Sequence, residues 1–199
     1  NDRVIESLRL SQDSHIDLEW LGLGVKSLAN DSQRQVVAFQ VRDHIKYLPP
    51  QERDLAVQQL GEDVHLSTEY MMTSGQLIEL HQAGMEIGGH TCSHPILANL
   101  DSQALGIEIQ GNKTALESII QSELLSFAYP NGKPGKDYDQ RCVDSVRQAG
   151  YQYAVTTSPG SIIDSCDLLQ LPRCNVWRRS RWGFQAQILK NYRVPCQTL

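Results

Sequence analysis

Apolar side chains recur near helical spacing through residues 33–48, where Val36, Val37, Val41, Ile45 and Leu48 fall toward one side. Pro49-Pro50 then ends that helix, because proline brings no backbone N–H. Pro50 suits the first position of a following helix, with Glu52 in its first turn and Leu55 and Leu60 on one side. Ahead of these, residues 16–21 alternate apolar and polar side chains as a half-buried strand does. Residues 1–75 thus read as mainly helical, with sparse chemistry.

From Thr73 the pattern becomes one of alternating units. Thr73 or Ser74 can cap a helix that runs to Ala83 and stops at Gly84, and residues 85–89 form a short strand running into His90. Asp101 can cap a helix bearing Leu105, Ile109, Leu116, Ile119 and Ile120, followed by a strand over 125–129. Asp137 can cap a helix to Ala149 that ends at Gly150, with a third strand over 153–157 and a fourth over 169–172; a last helix lies near 185–192. Strands alternating with helices predict βα units around a largely parallel sheet. His90, residues 129–131, Thr156, Thr157 and Arg173 all follow the carboxyl ends of these strands, where such folds build their sites. Residues 1–199 read as one domain, with no internal repeat and no flexible linker.

Composition narrows the function. Of 199 residues 40% are hydrophobic and 21% charged, too apolar for disorder, and the net charge of −5 opposes bulk binding to nucleic acid. No apolar run approaches the roughly 20 residues that span a bilayer. The chain opens on Asn1-Asp2-Arg3, with neither an initiator Met nor a signal peptide, and so reads as processed or cut. Five widely spread cysteines without a CxxC pair exclude a zinc finger and disfavour a disulfide scaffold; most read as buried thiols, with a Cys166–Cys174 bridge the one pairing left open.

The sharpest signal is Gly88-Gly89-His90-Thr91-Cys92-Ser93-His94-Pro95. Two histidines four apart can offer two imidazoles to one metal ion. Pro95 disfavours the right-handed helical conformation at His94, and two glycines precede His90, so the pair belongs on a loop. By spacing alone it could equally be two histidines bonded to loop backbone.

The segment resembles the His-Ser/Thr-x-x-His metal motif of the polysaccharide deacetylases, the NodB-homology domain of carbohydrate esterase family 4. Met85-Glu86-Ile87-Gly88, Phe127-Ala128-Tyr129-Pro130-Asn131-Gly132, Ala149-Gly150-Tyr151 with Ala154-Val155-Thr156-Thr157, and Leu171-Pro172-Arg173 agree in order with that family. Lys46-Tyr47-Leu48-Pro49 is similar to an insertion of an exopolysaccharide-associated bacterial branch. The resemblance covers most of residues 16–177. It implies an α/β fold, a distorted (β/α) barrel lacking here its first strands, with residues 1–75 a mainly helical insertion and 76–199 the barrel units. It also implies one divalent metal, usually zinc, on His90 and His94, and hydrolysis of N-acetyl groups from N-acetylhexosamine units of a polysaccharide. The Asn131 loop would bind the oxyanion, Tyr129 and Pro130 would line the substrate, and Arg173 would orient the base. Location at the bacterial envelope or outside the cytoplasm is the corresponding expectation.

The departures are equally specific. The family's Thr-Phe-Asp-Asp-Gly motif, source of the base and of the metal carboxylate, has no counterpart, and no two aspartates are adjacent. All six histidines (His15, His44, His65, His81, His90 and His94) lie at or before position 94, so the family's late general-acid histidine has none either. An inactive glycan-binding relative and an O-deacetylase are the alternatives. Cys92 stands where the family carries an apolar residue and reads as buried packing; the four other histidines read as surface or capping residues. Trp177, Arg178, Arg179, Arg181 and Trp182 form either a sugar-stacking surface or a solvated basic segment with partly buried tryptophans, and Asp137 and Asp139 either cap a helix or line a groove.

Overall fold

Asn30 shows how local signals set the first helices: its side chain accepts the Gln33 N–H at 3.0 Å, and helix α2 (Asp31–Ile45) follows. The computed structural model describes residues 2–61, 71–174, 176–196 and 198–199. The chain divides into two compact units, Asn1–Met71 and Met72–Leu199.

In the first unit α1 (Asp2–Leu10) buries Val4 and Leu8, four residues apart on one face. The antiparallel strands β1 (His15–Asp17) and β2 (Val25–Ser27) pair with His15 opposite Ser27. The predicted strand over 16–21 is cut short, because Asp17 accepts the Glu19 N–H and Glu19–Leu21 winds into a single 3-10 turn. That turn buries Leu21 and leaves Trp20 exposed. In α2 Val37, Val41 and Ile45 face the core while Val36 faces outward, and the helix stops at Ile45, short of Leu48. Helix α3 (Pro50–Leu60) begins on its proline as predicted, yet it buries Ala56 and exposes Leu55. Arg34 of α2 donates to Leu8 O at 2.6 Å and Ser11 O at 2.9 Å, tying the end of α1 to α2. His65 lies outside the described residues.

In the second unit α4 (Ser74–Gln82) starts with a reciprocal capping box between Thr73 and Gln76 and ends at Gly84, whose φ of +86° suits glycine. A helix from Asp101 follows as expected, its N-cap accepting the Ala104 N–H at 2.8 Å. It runs as α5 (Ser102–Gly106), a π turn (Ile107–Gly111) and α6 (Asn112–Ile120). Strands β3 (Ser126–Ala128) and β4 (Tyr153–Val155) pair in parallel, with Phe127 opposite Ala154. The two outer lines are reduced to single bridges: Gly89 with Phe127 on one side and Leu171 with Val155 on the other. The four lines are therefore ordered Gly89, β3, β4, Leu171, an α/β arc. Residues 85–88, predicted as strand, do not pair. Gly89 itself must be glycine, since a Cβ there would stand 2.1 Å from the Tyr151 hydroxyl.

Helix α7 (Gln140–Gln148) is capped by Asp139, whose side chain accepts the Cys142 N–H, and not by Asp137. Asp137 is buried and instead closes a turn by accepting the Lys133 N–H at 2.9 Å. Beneath the sheet Phe127, Tyr129, Tyr138 and Tyr151 pack with Leu105, Ile109, Leu124 and Val143. The Tyr129 and Tyr138 rings stack at 4.1 Å between centroids. The last helix, α8 (Arg181–Tyr192), buries Asn191.

The cysteines depart from expectation. Cys166 is bonded to Cys196, 30 residues on, and not to Cys174. Only Cys142 of the three free thiols is buried; Cys92 and Cys174 are exposed. Burial pushes the Cys142 thiol up to about 12, which keeps it protonated and inert.

Candidate functional site

The carboxyl ends of the four parallel lines bring the predicted residues to one edge of the sheet. At the first line His90 places Nδ1 2.6 Å from the carbonyl oxygen of Ala128, the last residue of β3. A carbonyl can only accept, so Nδ1 carries the proton, which in the neutral imidazole leaves the lone pair on Nε2, the arrangement of a metal-binding imidazole. The His94 ring stands 4.8 Å from the His90 ring, at 78° to it. Both residues are exposed.

The loop between them is strained. Thr91 (φ 68°) and His94 (φ 56°) both occupy the left-handed region, which costs an L-residue about 1–3 kcal/mol and is unusual for β-branched threonine. Thr91 Oγ1 accepts the His94 N–H at 3.1 Å, bridging the two strained positions. The remaining hold comes from the π-turn segment. Glu108 accepts the Cys92 N–H at 2.8 Å and the Ser93 N–H at 2.9 Å through Oε2, and the Ser93 hydroxyl at 2.5 Å through Oε1. Asn112 Oδ1 accepts the His90 N–H at 3.1 Å. Desolvation and then the Glu108 charge raise the Cys92 thiol above its ordinary range, and the side chain is exposed rather than packed in the core. Sequence reasoning missed Glu108 and Asn112. Their i, i+4 spacing on a predicted helix was visible, but nothing local names a partner 15 to 22 residues away.

The second line leads into residues 129–132. Tyr129 and Pro130, expected to line substrate, are buried; the Tyr129 ring lies in the core and its hydroxyl donates to Leu169 O at 3.0 Å. Burial raises the Tyr129 hydroxyl far above its ordinary range, so it serves as packing and as a neutral donor. What this loop offers outward is Asn131, half-buried at φ 56°, whose carbonyl accepts from Thr157 Oγ1. Among the described residues no protein acceptor takes the Asn131 N–H. Gly132 (φ 68°) lets the loop approach β4, since its carbonyl accepts the Thr157 N–H at 3.0 Å and a Cβ would stand 2.9 Å from that nitrogen. On the fourth line half-buried Arg173 donates through Nε to Thr156 O at 2.8 Å, which places it on the same edge.

Other candidates stand apart from this geometry. Trp177 and Trp182 are 82% and 81% exposed, against the partial burial that the solvated-segment reading gives them. Asp139 is committed to capping α7 and to Arg141. His15 and His44 are exposed, and His81 lies in the last turn of α4. Two imidazoles, one with its tautomer set by Ala128, could supply two of the ligands of a divalent-metal site. Among the described residues no three His, Cys, Asp or Glu side chains come together as a complete set.

The family model described as polysaccharide deacetylase matches residues 55–154. YxkH of Bacillus subtilis (strain 168), which carries a provisional polysaccharide deacetylase name, is 27% identical over 108 residues, 54% of this chain and 37% of its own length. Among solved structures, a polysaccharide deacetylase from Bacillus cereus is similar at 22% identity and TM-score 0.53, covering 71% of this chain and 48% of that one. The Streptococcus pyogenes deacetylase PplD, solved with acetate, is similar at 26% identity and TM-score 0.47, covering 59% and 47%. The chain thus spans less than half the length of each of these relatives.

Proposed function

The chain belongs to the polysaccharide deacetylase family, and from that premise we propose that it carries the histidine and oxyanion side of a metal-dependent enzyme that removes N-acetyl groups from N-acetylhexosamine units of a polysaccharide. The observation that carries the reading is the His90 imidazole, pinned through Nδ1 to Ala128 with Nε2 free beside the His94 ring. A divalent metal such as zinc, when bound there, would polarise the acetyl carbonyl and acidify a water. The chain's own residues do the rest: His90 and His94 hold the ion, and the Asn131 N–H is free to donate to the oxygen on which negative charge develops. Arg173, anchored on Thr156 O, orients a carboxylate base. That base, a carboxylate ligand and a general acid come, in this reading, from outside the described residues. The Cys166–Cys196 disulfide supports an oxidising location, at the bacterial envelope or beyond the cytoplasm.

A second reading, a relative that binds glycan without hydrolysing it, rests on the sequence: no two aspartates are adjacent in residues 1–199. One assay separates them. With zinc present, acetate released from an N-acetylglucosamine oligomer by the protein, and lost in His90→Ala and His94→Ala, supports the enzyme; binding of the oligomer with no acetate supports the second reading. Acetate release that persists in both variants would defeat the metal assignment. An O-acetylated oligomer assayed in parallel reads the choice of ester over amide.

A further inference from the structure

The loop that carries the two histidines holds a conformation its own residues disfavour, with Thr91 and His94 both left-handed. Something outside the loop must keep it so. Two side chains reach it from the helical run that follows, Glu108 from within the π turn and Asn112 from the first residue of α6. Asn112 holds the loop's entry at the His90 N–H, and Glu108 holds its middle at Cys92 and Ser93. A regular α-helix would place residues 108 and 112 on one face, and the wider π turn between them alters that rotation. Local π turns of this kind are frequent at functional sites.

We propose that Glu108 is a positioning residue of the histidine site, holding the His90–His94 loop in its strained conformation by accepting from the Cys92 and Ser93 backbone and from the Ser93 hydroxyl. This rests on the proposed reading of His90 and His94 as metal ligands. Both carboxylate oxygens are engaged by the loop, so Glu108 acts on the imidazoles through backbone geometry. The role is one of shape more than of charge. A glutamine can make the same three bonds, its oxygen taking both N–H groups and its amide donating to the Ser93 hydroxyl.

The test compares Glu108→Ala with Glu108→Gln in the whole protein, using two readouts. Hydrogen exchange of the Cys92 and Ser93 amides in metal-free protein reports the clamp by itself. Zinc affinity and the visible spectrum of the cobalt-substituted site report its effect on the histidines. Glu108→Ala should speed exchange at both amides and weaken zinc binding by about 10- to 100-fold, the range found when groups that orient metal ligands are removed. Glu108→Gln, which keeps the bonding capacity and removes the charge, should restore both toward the wild-type values. If Glu108→Ala does not fold, Ser93→Ala removes one of the three bonds and should weaken zinc binding toward the lower end of that range, about 10-fold. Unchanged zinc affinity in folded Glu108→Ala, or a Glu108→Gln as impaired as alanine, would overturn the assignment. Wild-type protein that binds no zinc while Glu108→Ala still frees the two amides would instead defeat the metal reading and leave the clamp standing.

Discussion

His90 Nδ1 and the backbone oxygen of Ala128 lie 2.6 Å apart, so the last residue of one strand sets the tautomer of a histidine that follows its neighbour. Because the Gly89 segment and β3 are hydrogen-bonded side by side, with the Ala128 N–H donating to Gly89 O at 2.8 Å, the imidazole is oriented by the sheet itself. Added zinc should therefore raise the melting temperature of the wild-type protein. Zinc at 100 times its dissociation constant contributes about 2.7 kcal/mol. His90→Ala and His94→Ala should each abolish the shift, as should a chelator; a shift that survives in His90→Ala would place the ion elsewhere.

Gly132 limits how the oxyanion loop can vary. At φ 68°, with a Cβ position 2.9 Å from Thr157 N and 3.1 Å from Tyr129 O, alanine would be strained and crowded by backbone that cannot yield cheaply. Gly132→Ala should cost about 1–3 kcal/mol in urea unfolding. Acetate release, if the enzyme reading holds, should fall further than stability does, because the displaced atoms adjoin Asn131. Wild-type unfolding in Gly132→Ala would contradict the close approach.

The disulfide closes a 30-residue segment that contains α8. Replacing Cys196 with Ser should lower stability by about 2–4 kcal/mol, chiefly by freeing the unfolded chain. Urea melts of the wild type with and without reductant should differ by the same amount, and superimposable melts would exclude a stabilising bridge.

Asp139 links stability to pH. Partial burial pushes its carboxyl up, but bonds from Arg141 and Cys142 together outweigh that and hold it below the usual carboxylate range. A group depressed on folding stabilises above its unfolded pKa, near 4, and loses that contribution as pH falls through the folded value. The wild type should therefore lose stability on acidification below about pH 4. Asp139→Asn, which can still cap α7, should show a shallower loss, and Asp139→Ala should cost about 0.5–2 kcal/mol at neutral pH. Equal acid slopes in wild type and Asp139→Asn would remove Asp139 from the account.

Short-range chemistry explains what could be read in advance. Asp101 caps where its side chain reaches an N–H three residues on, Thr73 caps α4 in the same way, and Gly84 and Gly150 stop helices because they accept positive φ. The same locality misplaced the cap of α7. Asp137 and Asp139 are both competent, and burial of Asp137 in the 133–137 turn leaves the role to Asp139. Residues 85–88 have the composition of a strand, but only Gly89 reaches a ladder partner.

The sequence by itself determined the order of units in 73–172, the caps at Thr73 and Asp101, the stops at Gly84 and Gly150, and the placement of His90 and His94 on a loop at a strand's end. Each depends on residues within a few positions of one another, where side chain and backbone meet whatever the rest of the chain does. Tertiary structure alone decided that Cys166 pairs with Cys196, that Tyr129 turns into the core, that Ala128 sets the His90 tautomer, and that Glu108 and Asn112 hold the histidine loop. Those contacts join positions 15 to 40 residues apart. No spacing in the sequence encodes such partners, because they meet only when helices and strands pack and bury their shared faces.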